Sequence, residues 1–172
     1  MSEGVIMDSE NDNIEERYQF IERMKLFDSY VRILVQRYDR FNKISLQDTL
    51  DWFTYFDIII VQLRALCVEN ARYSTNHTLQ VTLRKLGRED LGDRIDNFLE
   101  STLIWDETPL KEAIKFIADK FICHYDDVDL GDRALEHSLR GALSNPQGRY
   151  GLSVVIKEIV EIINEAYKDF IK

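Results

Sequence analysis

His124 is the residue in this chain whose type and setting point to chemistry. It closes an apolar helical run, Ile117 to Cys123, and is followed at once by Tyr125, Asp126, Asp127 and Asp129. A histidine beside carboxylates has its ring oriented and its protonated form favoured, as general acid/base work requires. Lys120 stands four residues earlier, one helical turn away, and would add positive charge on a neighbouring face. A plainer reading stands beside this one: a polar histidine at a helix end interacts favourably with the last carbonyls and needs no catalytic purpose.

Other spacings carry less. Arg72 and His77 flank a polar break, with mismatched surroundings. Arg133 and His137 fall at i and i+4, as on a solvated helix face. Asp126, Asp127, Asp129 and Asp132 resemble a metal loop by composition only, because a calcium-loop ligand position falls on Gly131 and the terminal one on Ser138. No Cys/His cluster has zinc spacing, no glycine-rich phosphate loop is present, and no serine elbow. No metal or other cofactor is therefore expected. Trp52, Phe53, Tyr55 and Phe56 crowd one segment, as core or a dimer seam does.

These residues must be positioned by helices. Seven glycines and two prolines in 172 residues are few against average usage of roughly 7% and 5%, so turns are scarce and elements long. Residues 1–13 read as a disordered lead-in and 14–172 as one domain. Ile14, Tyr18, Ile21, Met24, Phe27, Val31, Leu34, Tyr38 and Phe41 recur at steps of three and four, one stripe of a long amphipathic helix. Ser45 and Asp48 give an S-x-x-D start to a second long helix reaching about Tyr73, apolar on several faces between Phe56 and Leu66. Short helices follow around Leu79 to Leu86, stopped by Gly87, and around Ile95 to Leu103. Thr108-Pro109 opens a helix to about His124, ended by the acidic stretch. Leu135 to Leu143 makes another short helix, and Leu152 to Phe170 the last. The predicted fold is all-α: a bundle of about four main helices with short ones between.

The stretch Asp119-Lys120-Phe121-Ile122-Cys123-His124-Tyr125-Asp126 resembles the signature region of HEPN proteins. More narrowly it is similar to the abortive-infection (AbiU-type) branch, whose motif reads approximately Arg-Asn/Asp-Lys-x-x-x-His-x-Asp. Glu69-Asn70-Ala71-Arg72, a polar loop, and Thr78 to Leu86 resemble the same branch. The resemblance implies a helical bundle, a homodimer, and a metal-independent RNA-cleaving site at the dimer seam. In such a site histidine moves the proton and arginine stabilises charge on the phosphate. His124, Lys120 and Asp126 are then the catalytic candidates, with Asp119, Tyr125, Arg64 and Arg72 as binding residues. The chain departs from the pattern where the arginine should stand, at Ile117, Ala118 or Asp119 and by alignment at Ala118. An alanine holds no phosphate, and lysine lacks the bidentate fork.

The expectation is therefore a degenerate HEPN-type domain that binds a nucleotide, an RNA or a protein, in phage defence or a toxin-antitoxin-like system. The alternative is a ribonuclease working through His124. Thirty-one acidic against 22 basic residues, net -9, count against coating a polyanion and leave no expectation of DNA binding. No secretory signal opens the chain and no apolar run approaches the length of a membrane span. Asn76-His77-Thr78 fits the glycosylation sequon by chance in such a chain. Cys67 and Cys123, set in apolar patterns, read as buried free thiols. Together these point to a cytoplasmic protein with no membrane partner.

Overall fold

In the computed structural model, residues 6–45, 47–69, 78–123, 129–145 and 151–170 are described. Seven α-helices follow one another among them: α1 Ile6–Phe41, α2 Thr49–Leu63, α3 Leu79–Lys85, α4 Glu89–Ser101, α5 Leu110–Ile117, α6 Leu130–Ser144 and α7 Leu152–Phe170. The described residues contain no strand, only an isolated antiparallel bridge between Leu103 and Pro109. The all-α bundle expected from helical periodicity is the fold observed. No helix among the described residues is long and apolar enough to cross a membrane.

One core holds the bundle. Met24, Phe27, Val31 and Leu34 of α1 meet Phe56, Ile59, Ile60 and Leu63 of α2, and α1 also packs on α3 and α7. Leu110, Ala113, Ile114 and Ile117 bury the apolar face of α5 against α2 and α4. The α1 stripe differs from its expected course at one end, where Phe20 is buried and Tyr18 is 62% exposed. α1 itself begins at Ile6, inside the stretch read as a lead-in.

Several boundaries move for local reasons. Ser45 does not cap α2: its hydroxyl accepts from the Gln47 amide in a turn, and the helix starts at Thr49. α2 does not run on as an α-helix to Tyr73. It widens at Arg64–Val68 into a π-helix, closed by the Glu69 N–H on the Arg64 carbonyl at 2.9 Å, and Glu69 turns extended. α5 likewise passes into a π-helix, Ala118–Cys123. Its start shifts one residue past Pro109, because Thr102 accepts the Leu110 amide and Thr108 the Ile104 amide, folding the loop into a bridge.

α6 starts five residues earlier than its apolar pattern. Asp129, expected to end the preceding helix, instead caps this one, its carboxylate accepting from the Asp132 amide at 2.8 Å. α4 starts six residues early, with Glu89 and Asp90 in its first turn. Gly87 does stop α3: at φ +79° it lets the Arg88 amide reach the Leu83 carbonyl and the Gly87 amide the Arg84 carbonyl.

Candidate functional site

The two π-helical turns continue α2 and α5, and each packs against the other's parent helix. Arg64 opens the first turn and Asp119 lies in the second. Arg64 Nε stands 2.7 Å from Asp119 Oδ1, and its Nη1 donates to Glu69 Oε1 at 3.2 Å. The Arg64–Asp119 contact is an ion pair rather than an aligned hydrogen bond, so that carboxylate oxygen, shielded from solvent, keeps its accepting capacity. Arginine does reach the motif, but its charge is balanced by two carboxylates.

Lys120 is engaged elsewhere. Its ammonium pairs with Asp132 of α6 and lies 5.7 Å from the centre of the Phe116 ring. Ile117 and Ala118 are fully buried in the core. Of the three positions where the family arginine would fall, two point inward and the third is Asp119. An arginine at 118 would therefore enter the core rather than face a substrate. His124, Tyr125, Asp126 and Arg72 lie outside the described residues, as do Asp127, His77 and the sequon asparagine. The side chain of Cys123 does too.

Arg133 and His137 are exposed on α6, as their spacing on a solvated face suggests. Among the described residues no group of three or more His, Cys, Asp or Glu side chains converges as a metal site. The aromatic cluster is largely core: Trp52 stacks on Phe56 at 5.3 Å and meets Phe41 at 5.4 Å. Phe53 is its exposed member, covered by the Arg140 guanidinium 5.4 Å from its ring centre.

Beside Arg64 opens a polar cavity of about 360 Å³, walled by the π-turn after α2, by α3, α4 and α5. Its inner wall is Gln80, 5% exposed. Gln80 Nε2 donates to the Cys67 carbonyl at 2.6 Å and to Asp96 Oδ1 at 3.1 Å. Both partners are acceptors, which fixes the orientation of the amide. Its Oε1 is buried with no hydrogen-bond partner among the described residues, a state that typically costs about 1–3 kcal/mol.

Asp96 also takes the Arg84 guanidinium at 2.5 Å, and Asp93 takes it at 2.7 Å. Gly92 permits this arrangement, because a Cβ there would stand 2.9 Å from Arg84 Cγ. The adjacent Cys67 is a free thiol, and burial pushes its pKa up to about 12.

A second concavity, of about 810 Å³, runs between α1 and α2 and differs in kind. Leu26, Tyr30, Ile33 and Ile58 line it and are 40–50% exposed. Arg23, whose residue lines the same groove, has its Nη1 buried without an acceptor among the described residues. Neither Gln80 nor this face stood out in the sequence. Gln80 neighbours Leu79 and lies three residues before Leu83, both core residues, which was the available signal. Leu26, Tyr30 and Ile33 form a second stripe beside the core stripe of α1, legible only once the first is assigned.

No family profile matches the chain, no curated protein is significantly similar to it, and no solved structure matches its fold at a significant level.

Proposed function

We propose that this chain is a non-catalytic helical interaction module whose partner is a second copy of itself, docked along the α1–α2 groove. The observation that carries the reading is the apolar lining of that groove. Four large side chains, Leu26, Tyr30, Ile33 and Ile58, are half exposed together on two adjacent helices, and a contiguous apolar surface of this kind marks an interaction site. A twofold pairing buries the same patch on both copies. α1 suits it: 36 residues span about 54 Å, against a radius of gyration of about 16 Å for a compact chain of this length.

Two further facts favour a protein partner over RNA. The motif cations are spent on carboxylates, Arg64 on Asp119 and Glu69, Lys120 on Asp132. The acidic surface repels a polyanion. Cys67 as a buried free thiol supports a reducing, cytoplasmic setting. Sedimentation velocity at micromolar concentration tests the proposal. A dimer that Tyr30→Glu with Ile33→Glu converts to a monomer of unchanged helicity is the expected result. A wild-type chain that sediments only as a monomer overturns it.

A further inference from the structure

The groove side of α1 is a second heptad seam. Arg23, Leu26, Tyr30, Ile33 and Arg37 line the groove and recur at steps of three and four, each one residue before a member of the core stripe. The same spacing continues to Gln19 and Arg40, both exposed. Across the groove, Ile58, Val61 and Ala65 of α2 repeat it. A seam of this period is the pattern by which helices pair as coiled coils. Only its middle is apolar, and the two ends of α1 differ in charge. From Ile6 to Gln19 the helix carries five carboxylates and one arginine, and from Arg32 to Phe41 three arginines and one carboxylate. Arg37 donates to Gln62 at 2.7 Å and Arg40 to the Tyr55 hydroxyl at 3.4 Å, and neither has a carboxylate partner among the described residues. Glu15, at the other end, is exposed and likewise without an ion pair among them.

We infer that the two copies pair through α1 in antiparallel orientation, with the twofold axis crossing the helix beside Ser29. This deepens the groove-dimer reading and rests on it. A parallel pairing would set Arg23, Arg37 and Arg40 each against its own counterpart, and like charges facing across an interface are costly. Among antiparallel registers, the charges and the apolar residues select the same one. Leu26 meets Tyr30 of the second copy, twice by symmetry, Arg23 lays its stem along Ile33, and Arg37 faces Gln19. Arg40 then comes within a residue of Glu15 of the second copy. A shift of one heptad in one direction sets Arg40 on Arg23, and in the other sets Tyr30 on Gln19. The antiparallel arrangement also brings the oppositely charged ends of the two helix dipoles together. With α2 of each copy flanking the pair, the assembly is a four-helix packing.

Charge exchange and cross-linking on the full chain test the orientation, with folding of every variant checked by circular dichroism. Arg40→Glu and Glu15→Lys, both at exposed positions, should each weaken dimerisation about tenfold in sedimentation equilibrium, because each change acts at both symmetry-related contacts. The double variant should recover most of the loss, since it exchanges the two charges. A short bismaleimide should link Ser29→Cys dimers and leave Glu15→Cys at the wild-type background, because antiparallel helices place the two copies of position 15 about 40 Å apart. A dimer whose affinity Arg40→Glu and Glu15→Lys leave unchanged overturns the antiparallel register. So does a double variant as weak as either single one, or Glu15→Cys that cross-links as fast as Ser29→Cys. Each of those outcomes leaves the groove dimer standing. A wild-type chain that sediments only as a monomer overturns the groove dimer and the orientation with it.

Discussion

Cys67 shows how much of a residue's behaviour burial alone decides. Its thiol is enclosed at the end of the π-turn, and desolvation, with Asp96 adding a smaller push, raises its pKa from 9.0 to about 12. The sign follows from linkage. The folded state holds the thiol proton more tightly than the unfolded state, so this contribution to stability is whole below pH 9 and is lost as pH rises towards 12. The slope approaches about 1.4 kcal/mol per pH unit in that window. Unfolding titrations of wild type and Cys67→Ala from pH 8 upward should therefore converge, and native Cys67 should resist alkylation until the chain unfolds. A constant stability difference between the two proteins across that range would refute this account. The buried thiol was legible from its apolar neighbours. The fate of the motif residues was not: Arg64 and Asp119 are distant in sequence, and nothing local announces that two π-turns bring them to 2.7 Å. Nor does residue type reveal that Ala118 faces the core.

At the scale of elements, the apolar periods of α3 and α7 located those helices closely, and the ends of others were misplaced where a polar residue had two available roles. Asp129 illustrates the ambiguity. A run of aspartates disfavours continuing one helix and equally favours beginning the next, and only the Asp132 amide 2.8 Å from its carboxylate decides between them. The π-turn at Arg64–Val68 was illegible for a different reason. The Cys67 carbonyl in it is taken by Gln80 of α3, a contact that no local pattern announces, and Glu69 turns extended. Both ends of this middle region are open to measurement. Asp129→Ala removes the cap of α6 and should cost about 1 kcal/mol. Gly87→Ala should cost about 1–2 kcal/mol, because φ +79° is disfavoured for any side chain with a Cβ. The cavity around position 87 is open, with nothing within 4 Å of an added Cβ, so steric clash does not contribute. Urea denaturation of the two variants gives both values, and a neutral Gly87→Ala would mean the turn relaxes to negative φ.

Across the whole molecule, two arginines join helices remote in sequence, and their surroundings make them act differently. Arg94 of α4 reaches Glu158 at 2.7 Å, Glu165 at 3.2 Å and Glu161 at 3.4 Å on α7, with its side chain 37% exposed. Arg140 of α6 is buried, pairs with Asp57 of α2, donates to Glu136 at 2.5 Å and lies over Phe56 with its guanidinium carbon 5.0 Å from the ring centre. Water and salt screen the first network, so Arg94→Ala should cost about 1 kcal/mol or less, with the difference shrinking as ionic strength rises. The second is largely shielded. Arg140→Met preserves much of the packing against Phe53 and Phe56 but leaves Asp57 and Glu136 without their cation. That substitution should cost about 3–5 kcal/mol, the scale of breaking a buried pair, with little response to salt. The double variant Arg140→Met with Asp57→Leu removes one stranded carboxylate and should recover part of the loss, since much of the single-variant penalty is the uncompensated charge. Denaturant midpoints at low and high salt separate the two arginines. If Arg140→Met proved as mild and as salt-sensitive as Arg94→Ala, the α2–α6 contact would rest on the aromatic packing alone, and the ion pair beneath it would contribute nothing to holding the bundle closed.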